Sequence, residues 1–280
     1  SGAGDTTADL TKINYVYDQA GNLLKRKGEG SSTWEVYVYD GLNRITSTTD
    51  YDSNTTTIDF LDSTSVTRVT LANGLQRTST YNLAGELISY AESGTGVTTA
   101  TTSYAYDNLG RLRRVTDATS VKTYFLYDRV GRKTADIQAD GSVTEYRYDA
   151  DNRLIATIRY QNQISSTLLT QLESNVANQT YAIADYRRSS NSVDIWEWRV
   201  YDDANRLVQT IQQTDSTTTG RTTAYVYDAA SRLVSTTAYA LGLDISTFRT
   251  TPPTSLTLPT AYAGEDRTTR YFYDNDEIGR

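Results

Sequence analysis

Short stretches of alternating side-chain character recur along the chain, and each ends in a cluster of turn residues. An example is the segment Tyr104-Ala105-Tyr106-Asp107-Asn108-Leu109-Gly110-Arg111-Leu112, in which two aromatic residues two positions apart precede the turn. Side chains two positions apart lie on the same face of a β-strand. The pattern therefore predicts a strand, a tight turn and a return strand.

This pattern repeats with the consensus Tyr-x-Tyr-Asp-x-x-Gly/Asn-Arg-Leu. Tyr-Asp occurs nine times, and the pair Tyr51-Asp52 lacks the downstream residues of the consensus. Tyr81-Asn82 with Gly85 and Leu87 is a degenerate copy of the motif. Eight Tyr-Asp pairs share the pattern, and its structural residues are Tyr17, Asp18 and Gly21; Tyr39, Asp40, Asn43 and Arg44; Tyr106, Asp107, Gly110 and Arg111; Tyr127, Asp128, Gly131 and Arg132; Tyr148, Asp149, Asn152 and Arg153; Tyr201, Asp202, Asn205 and Arg206; Tyr227, Asp228 and Arg232; and Tyr273 and Asp274.

Each motif position has a predicted structural role. Asp at the first position of a tight turn accepts hydrogen bonds from the backbone N–H groups that follow it. Gly or Asn three residues later tolerates the positive φ that a type I turn closed by a bulge requires. We expect the next residue, Arg, to reach back to the Asp or across to a neighbouring turn.

The spacing of the motifs predicts an all-β fold of tandem antiparallel hairpins. A repeat of 21 to 26 residues accommodates two strands and two turns. Since a lone hairpin cannot bury its face, the hairpins should stack edge to edge in one extended sheet. The chain is thus predicted to be a single array over residues 1–280, with hairpin turns near 18–21, 40–43, 82–85, 107–110, 128–131, 149–152, 202–205, 228–231 and 274–277.

Two stretches interrupt the repeat and are interpreted as insertions. Residues 161–198 contain Leu168, Leu169, Leu172 and Val176 at helical spacing after Ser165-Ser166, which predicts a short helix. Residues 240–268 hold all three prolines and predict an irregular excursion. We expect the insertions to pack on a sheet face or to plug an opening.

Composition excludes several function classes. The chain has 23 Tyr but no Cys, His or Met, so Ser-His-Asp and Cys-His catalysis and His or Cys metal sites are excluded within it. Without Met, it is expected to be an internal piece of a longer protein. A net charge of −7 argues against nucleic acid and anionic membrane surfaces. No apolar run reaches the roughly 18 residues of a membrane helix, so no membrane insertion is predicted.

Three candidate chemistries remain beside a purely structural role. Paired carboxylates would suit a glycosidase, but the Asp residues recur in every turn, whereas an active site normally occurs once. The segments starting at Asp149 and Asp274 begin like calcium loops, yet Arg153 and Ile278 occupy the fifth position, where an oxygen ligand is needed. No cofactor or metal is therefore predicted.

Carbohydrate binding is the strongest alternative to a structural role. Rows of Tyr together with Trp34, Trp196 and Trp198 could stack on sugar rings. The simpler interpretation is that tyrosines form aromatic ladders between adjacent hairpins. Trp196 and Trp198 share a strand face, so an exposed pair would indicate a binding site and a buried pair would indicate core.

The repeated motif resembles that of the RHS/YD-repeat family, which includes bacterial polymorphic toxins, insecticidal toxin-complex cocoons, wall-associated proteins and the related teneurins. The resemblance covers nearly the whole chain apart from the two insertions. It implies that the hairpins form a curved or spiralling sheet, part of a hollow β-shell that encloses a toxin or other cargo.

The resemblance further implies a non-catalytic wall segment of a secreted or cell-surface bacterial protein. Its partners would be the remainder of its parent polypeptide and an encapsulated toxin domain. The alternative is an adhesin-like module that binds a glycan or a protein receptor. Because open sheet edges are templates for pairing, we also expect edge-to-edge self-association.

Overall fold

The computed structural model describes residues 12–174, 182–189, 191–214 and 217–273. Over these ranges the chain forms 20 β-strands and two α-helices. Neighbouring strands pair antiparallel, most often with the next strand in the chain. The predicted all-β fold with a short helical insertion is confirmed.

The chain forms two compact units, the first comprising the described parts of Ser1–Ala105 and Val115–Val121. In this unit each strand pairs with the next one in the chain. A one-turn 3₁₀ helix, Asp62–Thr64, lies between the strands Thr55–Leu61 and Val66–Thr70. The strands are β1 (Ile13–Tyr17), β2 (Leu23–Gly28), β3 (Glu35–Tyr39), β4 (Ile45–Thr49), β5 (Thr55–Leu61), β6 (Val66–Thr70), β7 (Gln76–Tyr81), β8 (Leu87–Gly94) and β9 (Val97–Tyr106).

The second unit comprises Tyr106–Arg114 and the described parts of Lys122–Arg280. The remaining elements are β10 (Leu112–Thr116), β11 (Lys122–Tyr127), β12 (Lys133–Gln138), β13 (Val143–Tyr148), β14 (Leu154–Arg159), α1 (Ser166–Ser174), α2 (Ile183–Tyr186), β15 (Ile195–Tyr201), β16 (Leu207–Gln213), β17 (Thr219–Tyr227), β18 (Leu233–Ala238), β19 (Leu243–Asp244) and β20 (Arg267–Arg270). Strands β11 to β18 pair in chain order, β18 then pairs with β20, and the short β19 pairs with β17.

The hydrophobic core lies on one face of the second unit's sheet. Cross-strand partners on this face form rows, one of which runs Ala156, Trp198, Ile211 and Thr222, all buried. In the first unit, by contrast, no described side chain falls in the buried class. The difference follows from the insertions, which supply a second layer only to the second unit.

The first insertion differs in extent from the prediction. It contains two helices, α1 and the one-turn α2, and it ends earlier because β15 begins at Ile195. Leu172 is fully buried, and Leu168 and Leu169 pack against the core. The predicted helix position Val176 lies outside the described residues.

The second insertion also packs on the core face. Leu243 and Ile245 are buried there. The predicted irregular stretch 240–268 contains the two-residue strand β19, and β20 already begins at Arg267. A Cβ atom on Gly220 would lie 2.9 Å from the side chains of both Ile211 and Ile245. Gly220 is therefore required where the insertion crosses the sheet.

Candidate functional site

The motif turn is closed by the carboxylate of its Asp. In the turn of Asp128, Oδ1 accepts the backbone N–H groups of Val130 (3.1 Å) and Arg132 (2.9 Å). The Nε of Arg132 donates to Oδ2 at 2.6 Å, so the Arg reaches back to its own Asp. The backbone N–H of Gly131 donates to the Asp128 carbonyl at 3.2 Å. Equivalent carboxylate contacts occur at Asp40, Asp107, Asp149, Asp202 and Asp228.

The third residue after each described motif Asp, and after Asn82 of the degenerate copy, has the predicted positive φ. The strand pairing also shifts register at the motif Tyr, as a bulge requires. The values range from 60° to 91° and belong to Gly21, Asn43, Gly85, Gly110, Gly131, Asn152, Asn205 and Ser231. Asp274 and the predicted turn at 274–277 lie outside the described residues.

The motif Arg also joins each turn to the following one. The guanidinium of Arg132 lies 4.9 Å from the ring centre of Tyr148, the motif Tyr of the next hairpin. Its Nη1 donates to the Asp149 carbonyl (3.1 Å) and to Asn152 Oδ1 (3.0 Å). The same Arg-on-Tyr stacking joins Arg111 to Tyr127, Arg153 to Tyr201, Arg206 to Tyr227 and Arg232 to Tyr273.

The motif Tyr completes the link with its hydroxyl group. Tyr148 donates to the carbonyl of Lys133, the residue after Arg132, at 2.9 Å. We call this combination of Arg stacking, Arg donation and Tyr donation the inter-repeat staple. The corresponding hydroxyl bonds run from Tyr39 to Leu23, Tyr127 to Leu112, Tyr201 to Leu154, Tyr227 to Leu207 and Tyr273 to Leu233.

The staple corrects the prediction of aromatic ladders. Five motif tyrosines meet the Arg of the preceding hairpin, namely Tyr127, Tyr148, Tyr201, Tyr227 and Tyr273. Tyr17, by contrast, stacks on Tyr15 of its own strand at 6.2 Å between ring centres. A cation held against a ring face gains electrostatic attraction, and the same cation can bind two neighbouring turns. Both contacts predicted for the motif Arg therefore occur, since it binds the Asp of its own turn and also binds the neighbouring turn.

Degenerate repeats keep the turn with different side chains. Asn22 replaces the Arg in the first turn and donates from Nδ2 to both Asp18 and Asn43, each at 2.9 Å. In the turn of Asn82 the donor and acceptor are exchanged, because Asn82 Nδ2 donates to Glu86 Oε2 at 2.6 Å.

One contact between neighbouring hairpins was not predicted from the sequence. Arg44 binds both carboxylate oxygens of Asp62 (2.8 and 2.9 Å) and stacks on Phe60 at 4.1 Å. Phe60 and Asp62 thus take the places of the motif Tyr and its turn, and the aromatic-x-Asp spacing was the available signal. The pair Tyr51-Asp52 lies instead in a turn at the opposite hairpin end, which Asp50 closes.

The staple predicts different effects of the same substitution at two motif positions. Tyr148→Phe removes the hydroxyl bond to Lys133 but keeps the ring, and we expect a loss of about 1 kcal/mol in the free energy of unfolding. Tyr17→Phe is the control, because Tyr17 is 56% exposed and has no hydroxyl partner among the described residues. Urea denaturation followed by circular dichroism measures both, and equal losses would contradict the role of the hydroxyl.

The turn carboxylates have lowered pKa values. Backbone N–H donation from the Arg four residues later, together with its side chain, lowers the pKa of Asp202 and Asp228. At Asp107 and Asp128, burial raises the pKa, but hydrogen bonds from Arg111 and Arg132 outweigh it and the net shift is downward. The carboxylates are therefore stabilised in their charged form.

We predict loss of stability in acid. Because the folded pKa values lie below the unfolded value of about 4, the unfolded state binds more protons as the pH falls. Stability should be constant above about pH 5 and should decline as the pH falls through the folded values. Urea midpoints at a series of pH values test this, and a midpoint unchanged down to about pH 3 would contradict it.

Trp196 and Trp198 are buried in the core and do not form an exposed pair. They are 2% and 0% exposed, and their rings stack at 5.5 Å between centres. Phe248 of the second insertion packs edge-on against Trp198 at 5.7 Å, and Arg249 lies over Trp196. The pair therefore belongs to the hydrophobic core, as expected for a buried pair, and does not form an exposed ligand-binding site.

A buried carboxylate fastens the first insertion to the sheet. Glu145 on β13 is 1% exposed and accepts hydrogen bonds from Arg187 (2.5 to 3.1 Å), Arg147 (2.9 Å) and Tyr160 (2.5 Å). Burial raises its pKa, but these donors outweigh burial and the net shift is downward. With all its donors supplied by the chain, Glu145 is a structural anchor.

Two cavities on the described surface are smaller than typical small-molecule sites. A cavity of about 130 Å³ is lined by residues that include Tyr201 and Pro252, and an open depression of about 280 Å³ includes Ile195 and Arg221. Small-molecule sites usually span about 300–1,000 Å³. Within the described ranges, no group of three or more acidic residues could hold a metal ion, and no helix is long and apolar enough to cross a membrane.

No family model and no curated protein matches the chain. Among solved structures, the TcdB2-TccC3 complex without its hypervariable C-terminal region is similar at 13% identity and a TM-score of 0.47, over 92% of this chain and 14% of that chain. The Tc holotoxin pore of Photorhabdus luminescens with a mutated TccC3 is similar at 14% identity and a TM-score of 0.27, over 83% and 16%. A porin-like protein from Bacteroides uniformis is similar at 17% identity and a TM-score of 0.22, over 83% and 85%.

The chain thus spans about 14% of the length of the TcdB2-TccC3 chain. At TM-scores below 0.5 these similarities carry no conclusion about fold or function. The features that the described residues establish are the recurring Asp-closed turn and the contacts of Arg and Tyr between successive hairpins. Within the described ranges, the chain is an array of antiparallel β-hairpins whose repeated motif resembles that of RHS/YD-repeat proteins.

Proposed function

We propose that the chain is a non-catalytic wall segment of a large RHS/YD-repeat protein, in which stapled hairpins enclose a toxin or other cargo. The observation that carries the proposal is the inter-repeat staple. Within the second unit it joins successive hairpins through Arg and Tyr at the same motif positions. A staple that can be repeated along the chain suits a continuous wall.

The use of the motif carboxylates supports a structural rather than catalytic role. In the turns of Asp40, Asp107, Asp128, Asp149, Asp202 and Asp228, one oxygen accepts two backbone N–H groups and the other binds Arg. A general acid or base needs a proton that it can exchange near the working pH. Carboxylates with lowered pKa values in closed turns do not meet this need.

The proposed partners follow from the wall role. They are the neighbouring hairpins of a parent polypeptide and a cargo segment that the wall shields from solvent and proteases. The proposed location is outside the bacterial cell or on its surface, as for the toxins of the resembling family.

Limited proteolysis of the full-length polypeptide that carries this chain tests the proposal. We expect the cargo segment to resist protease in the native protein and to be cleaved in a variant with Arg111, Arg132 and Arg153 replaced by Gln. Arg129→Gln is the control, since Arg129 is an exposed residue of the same turn as Arg132. Cargo that is cleaved equally in the native protein and the staple variant would refute enclosure.

A further inference from the structure

Residues 252–261 lie against the core face of the second unit without joining its sheet, and we call them the strap. They carry all three prolines and belong to no helix or strand. Among the described residues, none of their backbone groups takes part in a backbone–backbone hydrogen bond. Leu256 and Leu258 are 50% and 41% exposed.

One buried side chain, Gln209 on β16, binds the strap at its centre. Gln209 is fully buried within the cross-strand row Val200, Gln209 and Ala224. Its amide nitrogen donates to the carbonyl of Thr257, and its amide oxygen accepts the backbone N–H of Thr257 at 3.1 Å. The side chain thereby makes both hydrogen bonds that a neighbouring strand would make to one residue of an extended peptide.

The side-chain amide of Gln209 is suited to binding a peptide backbone. A buried amide must have both its donor and its acceptor satisfied, or it costs about 1–3 kcal/mol. Every extended peptide presents the same N–H and C=O pair, whereas side-chain pockets give specificity. The strap also leaves room beside it, because the 130 Å³ cavity lies between Pro252, Pro253 and the sheet residues Val200 and Tyr201.

Contacts on both sides of the strap are independent of Gln209. Before it, Phe248 packs on Trp198, and Arg249 donates to the Asn191 carbonyl at 2.7 Å. After it, the Asp266 carboxylate accepts the backbone N–H groups of Ala240 and Tyr262, each at 2.8 Å. The strap can therefore leave the sheet while both its ends stay in place.

We propose that the row Val200, Gln209 and Ala224 is the floor of a peptide-binding groove that the strap occupies as an internal ligand. The ligand class is an extended, uncharged segment that has prolines and has leucines on either side of a small polar residue, as the strap itself has. Such a segment from another protein binds to the groove when the strap withdraws. The strap then acts as a competitor that sets the apparent affinity.

Binding of a labelled peptide to a strap variant tests the groove. The probe is a fluorescein-labelled peptide with the sequence of residues 251–260, and the variant Thr257→Pro in the full chain removes the N–H that Gln209 accepts. We expect saturable binding in fluorescence anisotropy that is at least about tenfold tighter than to the unaltered chain, a difference of about 1.4 kcal/mol. Adding Gln209→Ala should abolish it.

Two outcomes of the binding experiment would overturn the proposal. One is equal binding with and without Gln209, and the other is no binding to a Thr257→Pro chain whose circular dichroism is unchanged. Hydrogen exchange on the unaltered chain decides the case if that variant does not fold. The Thr257 amide should exchange at least about tenfold faster than the amides of β16, and exchange at the β16 rate would refute a detachable strap.

Discussion

Trp198→Ala is expected to lower the free energy of unfolding of the second unit by about 3–5 kcal/mol, the range for removing a large buried aromatic side chain. Trp198 is fully buried, stacks on Trp196 and contacts Phe248 of the second insertion. Its removal leaves a cavity where the sheet and an insertion meet, because close-packed neighbours relax only partly. The second unit should therefore lose stability and the order of its insertion together.

Urea denaturation followed by far-ultraviolet circular dichroism measures this loss. Leu109→Ala is the matched control in the same unit, since Leu109 is 77% exposed at the tip of a turn. A surface substitution of this kind should change stability by less than about 0.5 kcal/mol. A loss at Trp198 no larger than that of the control would contradict the assignment of the Trp pair to the core.

Asp107→Asn is expected to lower the free energy of unfolding by much more than the same substitution at Asp228. Asn keeps the oxygen that accepts the N–H groups of Leu109 and Arg111, both at 3.0 Å, but loses the negative charge. Among the described motif Asp residues, Asp107 has a second arginine that is buried nearby, since Arg113 is 2% exposed with its Nε 3.5 Å from Oδ2. Breaking a buried ion pair by removing one partner costs about 3–5 kcal/mol, because the other charge stays buried.

The control Asp228→Asn changes the same motif position in a more exposed setting. Asp228 binds Arg232, whose side chain is 44% exposed and can return to solvent when its partner is lost. Asp228→Asn should therefore lower the free energy of unfolding by less than Asp107→Asn in the same urea experiment. Equal losses at the two positions would show that Arg113 does not depend on the Asp107 charge.

The motif turns were predictable because their causes are local. Asp128, Gly131 and Arg132 lie within five consecutive residues, and the type I turn with its bulge needs only their side chains and a positive φ. The helix at Ser166–Ser174 was predictable for the same reason, from leucines at helical spacing. The contact of Arg44 with Asp62 and Phe60 was not predicted, because Phe60 and Asp62 do not form the adjacent Tyr-Asp pair by which the repeat was recognised.

The sequence by itself determined the all-β class and, within the described residues, the positions of the Asp-closed turns of this protein. Only the tertiary structure decided which partner each motif Tyr has, because an Arg that stacks on the next hairpin and a tyrosine ladder fit the same spacing. It also decided the burial of Trp196 and Trp198 and the contact of Gln209 with Thr257. These depend on the two insertions, which come from separate parts of the chain and cover the sheet face, and residue periodicity carries no information about what packs over a strand.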